Sequence, residues 1–121
     1  MVNKTREITA GDLAGLMDMD LLQPEMAGRR LGIKGCYIGD LLSNVMGNAK
    51  SGQLWLTVIT NINTVAIAQL LELAGIVLLE GNPPAEGVLE RATMEDIPVF
   101  SSKDTAFQAA VKLVERDIAK P

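Results

Sequence analysis

The chain contains no histidine and only one cysteine, Cys36, among its 121 residues. Without histidine, neither a Ser-His-Asp nor a Cys-His catalytic arrangement can form, and a histidine-based metal site is excluded. One cysteine forms no internal disulfide and no thiolate cage, which favours a reduced, cytoplasmic setting. We therefore expect a protein with no catalytic residues, no bound metal and no cofactor.

Aromatic and basic residues are also scarce. The net charge is −4, with 11 basic against 15 acidic residues. Nucleic acids and anionic membranes bind clustered Lys and Arg, and single strands stack on aromatic rings, so neither is an expected partner. The one basic cluster, Arg29-Arg30 with Lys34, is short, and both a solvated loop and an anion site remain open for it. The four aromatic residues are Tyr37, Trp55, Phe100 and Phe107.

No apolar run has the length of a membrane span or the pattern of a secretory signal. Apolar residues nevertheless make up 48% of the chain, which indicates a folded protein with a mostly aliphatic core. The length suits one domain, and we expect a single domain over residues 1–121.

Three short apolar runs are the clearest remaining feature of the sequence. Each run is followed at once by small polar residues and then by a helix-like segment. The runs are Leu54–Ile59, Gly75–Leu79 and Ile97–Phe100. This alternation is typical of strand, loop and helix repeated along a parallel sheet. The sequence therefore predicts an α/β fold, a three-layer domain with a mostly parallel sheet of about four or five strands flanked by helices.

Amphipathic spacing predicts the helices between and around these strands. A first helix opens at Thr9, which is a good N-cap. On the second we expect Leu41, Leu42, Val45 and Met46 to face inward, and on the last we expect an apolar stripe of Phe107, Ala110, Val114 and Ile118, with Lys112 facing water. The four later helices are predicted over Asp40–Met46, Asn61–Leu73, Pro84–Met94 and Asp104–Ala119.

The Asn61–Leu73 helix is apolar around most of its circumference, so more than one of its sides must be buried. A tight core within the domain and a second subunit both explain this, and two-fold dimers are the commonest soluble oligomers. We expect a homodimer, with either this helix or the Arg30–Met46 region at the interface.

The polar residues after the strands are the candidate site. Because the carboxyl ends of parallel strands meet at one edge, these residues should gather there, where ligands of open sheets bind. Two interpretations remain open: helix N-caps, for which Asn61 or Asn63, Ser101 or Ser102, and Asp104 are suitable residues, or a rim of helix N-termini that holds a small anion. The candidate ligand-binding residues are Asp40, Thr60, Asn61, Asn63, Glu80, Gly81, Asn82, Ser101 and Ser102.

Three other residues carry alternatives of their own. Cys36 is either a small buried hydrophobe or, beside Lys34, a reactive thiol. Tyr37 and Trp55 are either core anchors or one wall of a pocket. The least favoured hypothesis is a small enzyme that uses Asp40 or Glu80 as a general base, or Cys36 as a nucleophile.

An ordered series of short matches over about residues 5–118 resembles the DRTGG domain family. The five-residue signature that names the family is reduced here, within Arg29–Cys36, to Gly35 and an arginine. The matches are Gly35–Ser43, Val45-Met46, Ala49-Lys50, Gly52–Thr57, Asn63–Ala66, Leu73–Ile76, Gly81, Ile97-Pro98, Ser101 and Ala106-Phe107.

The resemblance implies an α/β module of regulatory or dimer-forming type. Similar modules occur in pyrophosphatases with CBS domains and in phosphotransacetylases, and the N-terminal part of HPr kinase/phosphorylase looks similar. This chain looks like a stand-alone copy, and it lacks the kinase phosphate loop. We expect a non-enzymatic regulatory or assembly module that is dimeric and senses a small anionic metabolite such as a nucleotide. The alternative is a purely structural subunit that binds a protein partner.

Overall fold

The computed structural model describes residues 5–121, so the first four residues of the predicted domain lie outside the described residues. In these residues a five-stranded sheet lies between two layers of helices. In chain order the elements are β1 (Arg6–Thr9), α1 (Ala10–Met17), β2 (Asp20–Leu21), β3 (Arg30–Ile33), β4 (Gly35–Ile38), α2 (Leu42–Asn48), β5 (Gln53–Thr57), α3 (Asn63–Leu70), β6 (Gly75–Leu78), α4 (Val88–Met94), β7 (Val99–Ser101) and α5 (Ala106–Glu115).

The strand order of the main sheet is β2-β7-β6-β5-β4. The strands from β4 to β7 are mutually parallel, because α2, α3 and α4 carry the chain back between successive strands. Only β2, two residues long, runs antiparallel at the edge beside β7. The predicted three-layer α/β fold with a mostly parallel sheet is confirmed.

Both faces of the central strands are buried, which explains their nearly continuous apolar runs. Along β5, Leu54 and Leu56 face the layer that contains α1 and α5, and Trp55 faces the layer of α2, α3 and α4. The same alternation places Val77 on the first face and Ile76 on the second. The sheet therefore separates two apolar cores.

A second, two-stranded sheet formed by β1 and β3 lies outside the five-stranded one, and the sequence analysis did not predict it. Arg6 pairs with Ile33, and Ile8 pairs with Leu31, in an antiparallel ladder. The buried side chains of Ile8, Leu31 and Ile33 join the core on the α1 and α5 side. Thr9 caps α1 as predicted, since its hydroxyl accepts a hydrogen bond from the Asp12 N–H at 3.1 Å.

The four later helices all begin after their predicted starts. The segment predicted from Asp40 becomes α2 at Leu42, and the segment predicted from Asn61 becomes α3 at Asn63. The loop with Pro83-Pro84 ends only at Gly87, before α4. In each case the polar or proline residues at the start form turns instead of a first helical turn.

The predicted inward faces of α2 and α5 are wrong in part, since Val45 and Ile118 are buried as expected but four other residues are not. The exposed fractions are 61% for Leu41, 49% for Met46, 78% for Phe107 and 49% for Val114. On α5 the buried side chains are Ala109 and Leu113, one turn apart, so packing on the sheet fixes a helix phase that turns Phe107 and Val114 outward. On α2 only Val45 is buried.

Candidate functional site

The carboxyl ends of β4, β5, β6 and β7 lie at one edge of the sheet because these strands are parallel. Hydrogen bonds join the segments that follow neighbouring strands. The Gly81 N–H donates to the Ser102 carbonyl at 2.9 Å, and the Ala85 N–H donates to the Thr60 carbonyl at 2.9 Å. We call this region, with the nine candidate residues named above, the strand-end edge. That a ligand binds there stays a prediction.

Asp40 lies directly after β4 and is tied to the end of β5. Its Oδ1 accepts from the Thr57 hydroxyl at 2.8 Å and from the Val58 N–H at 2.9 Å. Thr57 is fully buried, and its hydroxyl also accepts from the Ile59 N–H at 3.1 Å. One oxygen of the Asp40 carboxylate thus holds two strand ends together, and the other remains for a further partner.

Thr57 is the residue at this edge that the sequence analysis missed. Its position in a buried strand identifies it only as a good strand former. Nothing in the spacing of residues 40 and 57 signals that the two side chains meet, since parallel pairing of β4 with β5 creates the contact.

The segment Glu80-Gly81-Asn82 after β6 is a tight turn. Glu80 has a φ of 59° and Gly81 a φ of 72°, and the Asn82 N–H donates to the Leu79 carbonyl at 3.2 Å. Positive φ at both central positions is the pattern of a type I′ turn, in which glycine is the residue best suited to the second. The Asn82 amide donates back to the Leu79 carbonyl at 2.8 Å, so this side chain serves the turn itself.

Ser102 and Asp104, after β7, are largely engaged within the protein. The Ser102 side chain is buried, and its hydroxyl accepts from the Asp104 N–H at 3.0 Å. Oδ2 of Asp104 makes no ordinary hydrogen bond, but the Lys112 ammonium lies 2.8 Å from it. Lys112 also donates to the Met17 carbonyl at 3.2 Å, so the prediction that it faces water is wrong.

The start of α5 uses a different cap from those predicted. On α5 the cap is Thr105, whose hydroxyl accepts from the Gln108 N–H, while the Gln108 side chain accepts from the Thr105 N–H in a capping box. Neither Ser101 nor Asp104 caps this helix. Before α3, the Asn61 side chain accepts from the Asn63 N–H at 2.9 Å and forms a local turn.

The charges at the strand-end edge are mixed. Exposed carboxylates of Asp40 and Glu80 lie at the ends of β4 and β6, and the exposed side chain of Lys103 follows β7. The backbone N–H groups of Ala106 and Phe107, in the first turn of α5, have no acceptor within the helix. An anion would therefore meet its most favourable surroundings beside Lys103 and the start of α5.

Five surface clefts of about 200 to 530 Å³ lie in other parts of the described chain, and none is lined by the nine candidate residues. One cleft of about 270 Å³ is lined by Arg29, Arg30 and Lys34 together with Glu72. These basic residues lie at the opposite end of the strands, near the amino end of β4. Arg29 pairs with Asp96 at 2.9 Å. The reduced signature is thus separated from the strand-end edge.

The surroundings of Cys36 and Trp55 suit a structural role for both residues. Burial raises the pKa of the Cys36 thiol to about 11, so the thiol is protonated near neutral pH and is a poor nucleophile. Trp55 is fully buried, and its indole N–H donates to the Gly39 carbonyl at 2.9 Å, as expected of a core anchor. A Cβ on Gly39 would lie 2.8 Å from Cε2 of Tyr37, so a larger residue there would displace the tyrosine ring.

Within residues 5–121, no cluster of three or more acidic or cysteine side chains could hold a metal ion. The helices in the same part of the chain are too short or too polar to cross a membrane.

A solved structure with a similar fold contains the CBS and DRTGG domains of the regulatory region of Clostridium perfringens pyrophosphatase, in complex with its activator diadenosine tetraphosphate. The TM-score is 0.67 and the sequence identity is 12%, and the match covers 88% of this chain. This chain has a DRTGG-like fold. It spans 46% of the neighbour's length. Neither a family model nor a curated protein matches the sequence.

Proposed function

We propose that this DRTGG-like domain is a non-enzymatic regulatory or assembly module that acts as a dimer in the cytoplasm and binds a small anionic metabolite, such as a nucleotide, at the strand-end edge. The observation that carries the proposal is the meeting of four parallel strand ends at one edge. The similar fold of a regulatory region that binds diadenosine tetraphosphate supports the nucleotide class. The single cysteine supports the cytoplasmic location.

The chemistry of the edge suggests how a nucleotide would lie. Phosphate would contact the Lys103 ammonium and the free N–H groups at the start of α5. Ribose hydroxyls would donate to the carboxylates of Asp40 and Glu80, which repel phosphate. A nucleotide should therefore bind with its phosphates on the β7 side and its sugar on the β4 and β6 sides.

A thermal-shift series tests the ligand. The compounds are diadenosine tetraphosphate, ATP, adenosine and inorganic pyrophosphate, each over a range of concentrations. A ligand at a hundred times its Kd should stabilise the fold by about 2.7 kcal/mol. Lys103→Ala should weaken phosphate-bearing ligands only, and the matched control Lys50→Ala, an exposed lysine before β5, should leave the shift unchanged. If no compound shifts the melting curve, the ligand part of the proposal fails.

A second candidate, a structural subunit that binds a protein partner without any ligand, is favoured by one observation. Several polar side chains of the strand-end edge, including those of Asn61, Asn82 and Ser102, are engaged in turns of their own segments. For this candidate, Asn61→Ala and Ser102→Ala should leave the yield of a stable complex in a pull-down unchanged. A nucleotide-dependent complex would favour the first candidate.

The enzyme hypothesis receives little support from the geometry. Oδ1 of Asp40 already accepts two hydrogen bonds, and the Cys36 thiol is protonated near neutral pH. Any turnover measured for the purified protein should therefore persist in the triple variant Cys36→Ser, Asp40→Asn, Glu80→Gln. Loss of turnover in that variant would restore the enzyme hypothesis.

A further inference from the structure

The outer side of β4 is an open sheet edge. Within residues 5–121 no strand pairs with it, whereas the opposite edge of the main sheet is closed by the two-residue strand β2. Folded proteins usually protect an edge with charged residues, proline or a bulge. The segment Gly35–Gly39 contains no charged residue and no proline. This edge therefore remains able to pair with another strand.

The pattern of hydrogen bonds on the inner side of β4 shows which backbone groups are free. The Gly39 N–H donates to the Leu56 carbonyl of β5. Because hydrogen bonding alternates along a strand, Tyr37 also faces β5, and the N–H and C=O groups of Cys36 and Ile38 point outward. Two residues thus offer a set of two donors and two acceptors, spaced as an antiparallel partner requires.

Apolar side chains surround this edge on both faces of the sheet. Ile38 itself is 46% exposed, and Val114 of α5 lines one cleft of about 200 Å³ together with Cys36 and Ile38. On the other face Leu41 and Met46 are exposed on the segment that follows β4. Phe107 lies seven residues before Val114 and so on the same side of α5. Exposed apolar groups on adjoining elements mark an interaction surface.

We propose that two copies of the chain associate through this edge, with β4 pairing antiparallel to β4 of the partner around a two-fold axis at Tyr37. This inference rests on the dimeric part of the proposed function and names its interface. A closed dimer requires a self-complementary surface. In this register Cys36 lies opposite Ile38 of the partner subunit, so the outward groups of both residues form hydrogen-bonded pairs.

The charges at the two ends of β4 favour a second copy over another partner. Lys34 precedes the strand and Asp40 follows it, and both side chains are exposed. The same register places residue 34 opposite residue 40 of the partner subunit at both ends of the paired strands. The Lys34 stem lies against Gly52, so its ammonium must turn outward to meet that carboxylate. Oδ2 of Asp40 remains for such a contact, because the bonds from Thr57 and Val58 go to Oδ1.

The two-fold axis also brings like layers together. Because the axis is perpendicular to the sheet, α5 lies beside α5 of the partner on one face, and α2 lies beside α2 of the partner on the other. Val114 is then covered on the first face, and Leu41 and Met46 on the second. A specific dimer needs about 800 Å² from each partner, which one strand edge without its flanking helices would not supply.

The oligomeric state of the full chain tests the interface. We expect a dimer in sedimentation equilibrium, and Ile38→Lys should weaken it by about 100-fold or more, because two charges would enter an apolar interface. Met94→Lys is the matched control, since Met94 is 77% exposed on α4. It should leave the dimer unchanged. Leu70→Lys examines the rival surface on α3, where Leu70 is 67% exposed.

A monomeric native chain would overturn the inference, as would a dimer that Leu70→Lys breaks and Ile38→Lys does not. Because Ile38→Lys could also disturb folding, disulfide trapping provides a second measurement. Hydrogen-bonded antiparallel pairs have Cα atoms about 5.5 Å apart, within disulfide range. Oxidation of Ile38→Cys at about pH 9, where the exposed new cysteine is largely thiolate, should link it to Cys36 of the partner and yield a covalent dimer. Met94→Cys should remain largely unlinked.

The two proposals can fail separately. A nucleotide shift in a chain that stays monomeric would overturn the β4 interface and leave ligand binding intact. A dimer trapped by Ile38→Cys that shows no nucleotide shift would support the interface and remove the ligand.

Discussion

Replacement of Gln23 by Met should destabilise the fold strongly, although Gln23 lies far from the strand-end edge. Gln23 is 2% exposed. Its amide donates to the Ile97 carbonyl at 2.9 Å and accepts from the Val99 N–H at 2.7 Å. The preceding residue, Leu22, donates its own N–H to the Val99 carbonyl. The side chain thus continues, by one residue, the ladder between β2 and β7.

The size of this loss in stability follows from two backbone groups, the Ile97 carbonyl and the Val99 N–H, which lose their hydrogen-bond partners. Methionine matches the length of glutamine but neither donates nor accepts strongly. A buried group left without a hydrogen bond costs about 1–3 kcal/mol, so two such groups cost about 2–6 kcal/mol. Burial of an apolar side chain offsets part of this loss. We expect Gln23→Met to lower the free energy of unfolding by about 3 kcal/mol.

Urea and thermal unfolding followed by circular dichroism measure this loss. For a domain of this size, about 3 kcal/mol corresponds to a fall in Tm of about 12 °C. Gln69→Met is the matched control, because Gln69 is exposed on α3, and its effect should remain within about 0.5 kcal/mol. A loss below about 1 kcal/mol in Gln23→Met would show that other groups replace the lost partners, and it would refute the reasoning.

Three further predictions concern the strand-end edge, Cys36 and the two phenylalanines. Thr57→Val should cost about 1–2 kcal/mol in urea unfolding, since Asp40 loses a hydrogen bond, and Thr57→Ser should cost less. Because burial raises the pKa of Cys36 to about 11, the folded state holds its proton longer than the unfolded state does. Stability should fall as pH rises from about 9 to about 11, and Cys36→Ala should remove this dependence. Phe100→Ala should cost about 3–5 kcal/mol, whereas Phe107→Ala should change monomer stability by less than about 0.5 kcal/mol.

The parallel sheet could be predicted because its central strands are buried on both faces. Leu54–Thr57 and Gly75–Leu79 are buried throughout in the structure, and such runs bounded by polar residues are distinctive in a sequence. The small sheet of β1 and β3 could not be predicted in the same way. Its two strands are short and separated by α1, β2 and a loop, so only the folded chain shows that they pair.

The position of the candidate site could be predicted from the sequence, but the hydrogen bonds of its side chains could not. Parallel strands must bring Asn61, Gly81 and Ser101 to the same edge, whatever their side chains do. Which groups remain free depends on contacts between distant residues, such as Thr57 with Asp40 and Lys112 with Asp104. Local propensity contains no information about such contacts, and for that reason the α5 cap was also assigned to the wrong residues.

The α5 residues whose burial was predicted incorrectly belong to the same surface as the open edge of β4. Helix α5 has two apolar stripes: Ala109 and Leu113 pack on the sheet, and Phe107, Ala110 and Val114 form the other. Periodicity identifies apolar stripes but does not tell which of two is buried within the monomer. The stripe that the monomer leaves exposed reaches the open edge of β4 through Val114. If the β4 interface forms, the exposed stripe is buried in the dimer, as the sequence pattern predicted. The error was then to assume that contacts within one chain bury the whole apolar surface.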